Sequence, residues 1–290
     1  MLVGLLCAYT ASGLQTAVVK VPVACIRTRP GHSSELSSQI VLGTPVEILS
    51  KSGEWYQVST PDGYTGYVMF NSLAEMSADE YDRWQDADKV VCRAWLSRLI
   101  TEDGFPAGYA VYGVVLPGEE SADNPDMLAV ELPDGTRAYA PADDFYVSMD
   151  EYQKACASAD AQDVLSVAYS MLGIPYLWGG TSTLAADCSG FTQIAYRAAG
   201  LLLPRDTSMQ IKCGIAVSSI AEALPGDLIF YGNTSGKVNH VAIYLGDGKI
   251  IHSSGHVRIC RMSEEVAGTE DLFTKKPLAI RRVLGSCLSH

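Results

Sequence analysis

The hydrophobic period of this chain switches from two to helical near residue 155, and the change limits what each part can fold into. Before it, short runs rich in β-branched and aromatic residues are separated by turn formers. "AVVKVPVACI", "TPVEILSK", "WYQVST" and "TGYVMF" lie between "RPGHSS", "SGE" and "PDGYTG". A repeat of two residues places alternate side chains on opposite faces of a strand, so this stretch predicts a small all-β barrel over residues 18–80.

A weaker version follows over residues 81–154, with "AVYGVVL" and "DMLAVELPDGTRAYAP". The "PDG" at 61–63 returns at 133–135 within a comparable β pattern, which predicts a diverged second copy of the same barrel.

Beyond it, "MDEYQKACASADAQDVLSVAYSMLG" takes the helical period. Val164, Leu165, Ala168, Met171 and Leu172 share a face, Asp160 stands where a cap belongs, and Gly173 followed by Pro175 ends the helix. A second helix is predicted from Cys188 to about Gly200, with Phe191, Ile194, Ala195, Ala198 and Ala199 on its apolar side. Strands come next: "DLIFYG" after the turn "LPGD", then "HVAIYLGDGKIIHSS", a hairpin closed at Gly246-Asp247-Gly248. Helices followed by an antiparallel sheet make residues 155–290 an α+β domain.

The formal net charge of −12, with no run of Lys or Arg, makes a nucleic-acid partner unfavourable. The opening "MLVGLLCAYTASG" is apolar but too short to span a bilayer and has no basic start, so residues 1–17 read either as an export signal or as a frayed terminal segment. Lipid attachment at Cys7 is not expected, because Leu6 stands where a small residue belongs. The eight cysteines include no C-x-x-C pair and suit single buried thiols; any disulfide pairing stays open.

Two placements carry chemistry. Asp187 as the cap of the second helix puts Cys188 at its first residue, where unpaired N–H groups and the positive end of the helix dipole favour a thiolate. A small core residue is the competing reading. In the hairpin, pairing of Ile243 with Ile251 would put His240 and His252 on one face as diagonal neighbours, and a slip by one residue would separate them. Two imidazoles and a thiol leave three readings open: a base with its orienting partner, a metal site, or a coincidence. His32, His256 and His290 have no such companions and read as loop or terminal residues.

The motifs "PYLWGG" (175–180), "DCSGF" (187–191), "LPRDTSMQ" (203–210), "PGDLIFY" (225–231) and "HVAIYLGDGKIIHSS" (240–254) together resemble the NlpC-type family of papain-like, cell-wall cysteine peptidases. The upstream barrels resemble the bacterial SH3-like domains that precede such peptidases, through "ELSSQIVLGTPVEIL" and "WYQVSTPDGYTGYV". The resemblance implies a papain-like catalytic domain behind two SH3-like β-barrels. It implies Cys188 as nucleophile, His240 as general base and acid, His252 as its orienting partner, and Tyr176 as a second oxyanion donor beside the Cys188 N–H. For Tyr176 the alternative is a loop aromatic packed under the WGG turn.

Members with SH3-like domains in front resemble enzymes that cut the γ-D-glutamyl bond to a diamino acid in peptidoglycan stem peptides, and one subgroup requires a free N-terminal L-Ala. The positions that match its ammonium-binding groups are Glu35, Tyr64 and Asp206. Trp178, Asp187, Ser189, Arg205 and Thr207 match further substrate contacts, with Arg205 a candidate for holding the D-Glu carboxylate in a two-pronged bond. Thr207 stands where serine is more usual and keeps the hydroxyl.

The expected partners are therefore peptidoglycan-derived peptides, with no metal or organic cofactor, no transmembrane span, a monomeric chain and action in the cell envelope or periplasm, with the cytoplasm as the alternative. An endopeptidase on intact wall, a catalytically dead wall-binding module and an acyltransferase are the competing functions.

Overall fold

The computed structural model describes residues 15–233, 235–262 and 277–285. Cys7, Cys287, His290 and most of the apolar opening lie outside them. The chain divides into two compact units, residues 1–154 and 155–290.

The first unit holds two sheets of the same design. In the first, β1 (Gln15–Val19), β2 (Val23–Arg27), β3 (Leu36–Val41), β4 (Pro45–Ser52), β5 (Trp55–Ser59), β6 (Thr65–Met69) and β7 (Leu73–Met76) lie in the order β3-β2-β6-β5-β4-β1-β7. Helix α1 (Ala78–Asp86) follows. In the second, β8 (Lys89–Cys92), β9 (Leu96–Ile100), β10 (Pro106–Val111), β11 (Val115–Glu120), β12 (Met127–Glu131), β13 (Arg137–Pro141) and β14 (Phe145–Tyr146) lie in the order β10-β9-β13-β12-β11-β8-β14. Advancing every strand number of the first sheet by seven reproduces the second, which makes the duplication topological as well as sequential. Each copy has its PDG turn before the sixth strand, with Gly63 at φ 76° and Gly135 at φ 81°. A 3-10 turn precedes the last strand of each, at Phe70–Ser72 and Ala142–Asp144.

A boundary at residue 80 falls inside α1, because Ser77 and Glu80 form a reciprocal capping box that starts the helix at Ala78. Tyr81 and Trp84 of α1 are buried in one cluster with Val18, Val41 and Leu42 of the first barrel and Leu99, Leu116 and Leu128 of the second. The two barrels of this unit thus share a core. They approach closely at Gly43, φ 80°, where a Cβ would stand 2.1 Å from the Val115 carbonyl oxygen.

The second unit begins within α2 (Met149–Ser158) and continues through α3 (Ala161–Ser170), so the stretch that reads as one helical period is two helices. Asp160 caps α3 in a box with Asp163. Val164, Leu165, Ala168 and Met171 are buried as their spacing predicts. Leu172 departs from that face and is 46% exposed, because the helix ends at Ser170 and the chain turns at Gly173, φ 86°.

After a small ribbon of β15 (Thr181–Ser182) and β16 (Ala185–Ala186) comes α4 (Cys188–Tyr196), continued by a 3-10 turn to Ala199 and closed by Gly200 at φ 62°. Every residue of α4 is buried, the polar ones included, which marks a central helix rather than a one-sided amphipathic one. The short α5 (Thr207–Gln210) follows. Next come β17 (Ile215–Ala216), β18 (Leu228–Gly232), β19 (Val238–Gly246), β20 (Lys249–Ser254), β21 (His256–Arg261) and β22 (Ala279–Arg282). They form an antiparallel sheet in the order β17-β22-β18-β19-β20-β21, and α4 packs on β19 and β20. No described helix is long and apolar enough to cross a membrane.

Candidate active site

Cys188 is the first residue of α4, and the Asp187 side chain caps the helix by accepting from the Gly190 N–H at 2.8 Å. Asp187 also accepts from the Gly179 N–H at 3.0 Å and from Arg205, whose Nη2 lies 2.5 Å away. This buried carboxylate therefore ties the PYLWGG loop, the helix start and the LPRDTSMQ segment to one point. The glycine two residues after the cysteine is required by packing: a Cβ on Gly190 would stand 2.0 Å from the Gly180 carbonyl oxygen. The helix start lies directly on the backbone of the loop that carries Tyr176 and Trp178.

The sulfur does not rest in the thiolate form that its place at a helix start predicts. Cys188 is only 8% exposed, and burial followed by the Asp187 charge pushes its thiol up. Hydrogen bonds from Thr207 and from the Val241 and Ser189 N–H groups act the other way. Burial prevails because a nine-residue helix offers partial charges while desolvation acts on a full one. Tyr176 is close enough for the Cys188 and Asp187 charges to act on it; burial chiefly raises its hydroxyl, which stays protonated and able to donate.

The histidines meet through the register of the hairpin. Ile243 pairs with Ile251, so His240 and His252 share a face, and the turn at Asp247 (φ 52°) and Gly248 (φ 69°) closes the two strands. His240 Nε2 lies 2.8 Å from His252 Nδ1, with the rings edge to face. His240 is 7% exposed and His252 1%. Burial holds His240 well below the usual imidazole range and His252 at about 4, with the Arg258 charge lowering both. Both rings are therefore neutral at pH 7. The Val241 N–H that reaches the Cys188 sulfur belongs to the residue after His240, which places the thiol against this point of β19.

Thr207 Oγ1 lies 3.8 Å from Cys188 Sγ. Trp178 is 61% exposed on the adjoining loop. Asp206 is exposed at the start of α5, and its side chain makes no capping bond. Ser189 and Arg205 face inward instead. Arg205 Nη1 donates to Ser189 Oγ at 2.9 Å and to Asp187 Oδ1 at 3.2 Å, and Nη2 goes to Asp187 Oδ2. The guanidinium fork thus closes on Asp187 rather than standing open for a substrate carboxylate, since a buried acid and base pair with each other. Glu35, exposed, and Tyr64, half-buried with its hydroxyl 3.4 Å from the Ser37 carbonyl oxygen, belong to the N-terminal unit.

Sequence reasoning passed over Gln210. Fully buried, its Nε2 donates to the Ser189 and Pro204 carbonyls at 3.0 and 2.9 Å, and its Oε1 lies 2.7 Å from Thr192 Oγ1. It fastens α4 to the segment bearing Thr207. Its place at the end of LPRDTSMQ was the available signal. His256 opens β21 rather than lying in a loop, and its charge bears on His252. Among the described residues no group of three or more His, Cys, Asp or Glu is arranged to hold a metal ion.

Residues 173–274 match the NlpC/P60 family and residues 23–73 the bacterial SH3 domain. The chain is 32% identical over 235 residues to the gamma-D-glutamyl-L-lysine dipeptidyl-peptidase of Bacillus cereus, covering 77% of this chain and 68% of that protein. The chain belongs to the NlpC/P60 family. A crystal structure of an NlpC/P60 family protein from Bacillus cereus superposes with a TM-score of 0.79 at 26% identity, over 93% of this chain and 99% of that one. The peptidoglycan endopeptidase RipB of Mycobacterium tuberculosis is 38% identical over 115 residues, 35% of this chain and 46% of that protein. This NlpC/P60 protein is a cysteine peptidase, with its papain-like catalytic domain preceded by SH3-like barrels.

Proposed function

We propose that this peptidase hydrolyses the γ-D-glutamyl bond to an L-diamino acid in peptidoglycan stem peptides whose N-terminal L-Ala is free, releasing L-Ala-γ-D-Glu. The extent of the likeness carries this reading. The 235 residues shared with the dipeptidyl-peptidase exceed what residues 155–290 can supply and so include the barrels, whereas the endopeptidase match covers a third of the chain. Within the catalytic unit, the Asp206 carboxylate stands exposed beside Thr207, itself in contact with the Cys188 sulfur, where it suits a substrate ammonium.

In the proposed reaction Cys188 is the nucleophile and His240 the general base. With its Nε2 given to His252, His240 takes the thiol proton on Nδ1. The sulfur attacks the amide carbon, and the carbonyl electron pair moves to oxygen, which the Cys188 N–H and the Tyr176 hydroxyl receive. The tetrahedral adduct collapses by breaking the C–N bond, and His240 Nδ1 protonates the leaving amine. Water, deprotonated by His240, then attacks the thioester carbon; the C–S bond breaks, L-Ala-γ-D-Glu leaves with its new carboxyl group, and His240 returns the proton to the sulfur to restore the thiol. Arg205 holds Asp187 and Ser189 in place; Trp178 offers an exposed face on the loop that packs against the start of α4.

The test is to incubate the purified protein with L-Ala-γ-D-Glu-meso-diaminopimelate, its L-Lys counterpart and the N-acetylated form of each, reading products by mass spectrometry. Cleavage confined to free-amine peptides, lost in Cys188→Ala and less selective in Asp206→Asn, is the expected result. Equal cleavage of acetylated peptides would overturn the exo-acting reading in favour of an endopeptidase.

A further inference from the structure

We propose that Cys260 is a positioning residue for the Cys188 reaction: its sulfur accepts the His252 Nε2–H and so determines which nitrogen of each histidine carries a proton. The inference rests on Cys188, His240 and His252 being the catalytic set.

The sheet register builds a diagonal of polar side chains across three strands. Cys260 on β21 pairs with Ile250 and lies two residues from the partner of His252, so it shares the face on which His252 meets His240. Its Sγ lies 3.5 Å from His252 Nε2, within reach of an N–H···S bond. His252 is almost completely buried, so an N–H on Nε2 needs a protein acceptor, and the Cys260 sulfur supplies one.

The proton order follows from this contact. If His240 Nδ1 is to accept the thiol proton, it must be bare, so Nε2 carries the hydrogen and donates it to His252 Nδ1. His252 must then hold its own hydrogen on Nε2, the nitrogen that faces Cys260. Without an acceptor there, His252 can place its proton on Nδ1, where it opposes the His240 Nε2–H and turns His240 to the tautomer that cannot take a proton from the thiol. Among the described residues, the groups bearing on His252 include His240 from β19 and Arg258, His256 and Cys260 from β21; Tyr231 of β18 lies beyond His240. Burial, aided by the Arg258 charge, keeps a second proton off His252, which leaves the choice of tautomer as the variable on which Cys260 acts.

The experiment compares the full chain with Cys260→Ala and Cys260→Ser, after equal unfolding midpoints confirm that both variants fold. It measures kcat and KM on the cleaved peptide, the pH profile of Cys188 alkylation by peptide mapping, and the His252 tautomer by nitrogen-15 resonances. Expected are a His252 Nε2–H tautomer in the parent and a kcat lower on the order of tenfold in Cys260→Ala with KM unchanged. Most of the loss should return in Cys260→Ser, where an oxygen acceptor replaces the sulfur, and the alkylation profile should move with kcat. A parent Nδ1–H tautomer, a kcat within twofold of the parent in Cys260→Ala, or an equal fall in the serine variant would each overturn the proposal. Failure of the catalytic set itself would show separately, as hydrolysis persisting in Cys188→Ala.

Discussion

Cys188 shows two effects in opposition at one residue. The helix start and three hydrogen-bond donors favour a thiolate, whereas burial and Asp187 favour the thiol, and the thiol prevails in the isolated protein. Iodoacetamide should accordingly label Cys188 slowly at pH 6–7 and increasingly above pH 9, on the order of the ordinary thiol range and beyond it. A rate already at its plateau near pH 6 would mean an imidazolium–thiolate pair at rest. The histidines make a second prediction. The unfolded chain binds protons on both imidazoles as pH falls below 6.5, while the fold keeps His252 neutral to about 4. Their contribution to stability is therefore complete above 6.5 and is lost as pH falls toward 4, by up to about 1.4 kcal/mol per pH unit for each ring. Urea unfolding between pH 7 and 4.5 should show this slope, reduced in His252→Asn.

Among the elements, α4 is the one that others are fitted around. Its capping by Asp187 was legible, as were the turn residues of the hairpin, because both depend on neighbours in the chain. The capping box at Ser77 was equally local and still marks a helix that β periodicity on either side obscures. The burial of Thr192 and Gln193 on the side of α4 opposite its apolar stripe was not legible. It depends on the Gln210 side chain and the Leu203 carbonyl arriving from a later segment. Gly190→Ala tests the close packing of this element: its methyl would press on the Gly180 carbonyl, costing about 1–3 kcal/mol by overpacking. Thermal unfolding should register that loss, and hydrolysis should fall further than stability does, because the Tyr176 loop moves with Gly180.

At the scale of the whole molecule, the duplicated barrel is the main feature that sequence conveyed faintly. One PDG echo stood for two sheets with the same strand order, since residues that only need to be apolar and alternating diverge freely while topology persists. The shared core makes the barrels of the N-terminal unit interdependent. Gly43→Ala should therefore destabilise that unit by about 1–3 kcal/mol, through a positive φ and a clash with Val115. In two-wavelength unfolding it should lower the transition of residues 1–154 without changing the alkylation of Cys188. Parallel loss in both transitions would overturn the expectation that the effect is confined to residues 1–154.

Short-range physics left its mark in the sequence: strand and helix periods, helix caps, the hairpin's turn residues and the place of Cys188 at a helix start, with the His240–His252 register legible only as one of two pairings that the structure then chose. Tertiary structure alone decided the protonation of the thiol, the closure of Arg205 on Asp187 and the contact of Cys260 with His252. Each of these depends on desolvation or on partners from separate elements, and neither is written in the spacing of residues along a chain.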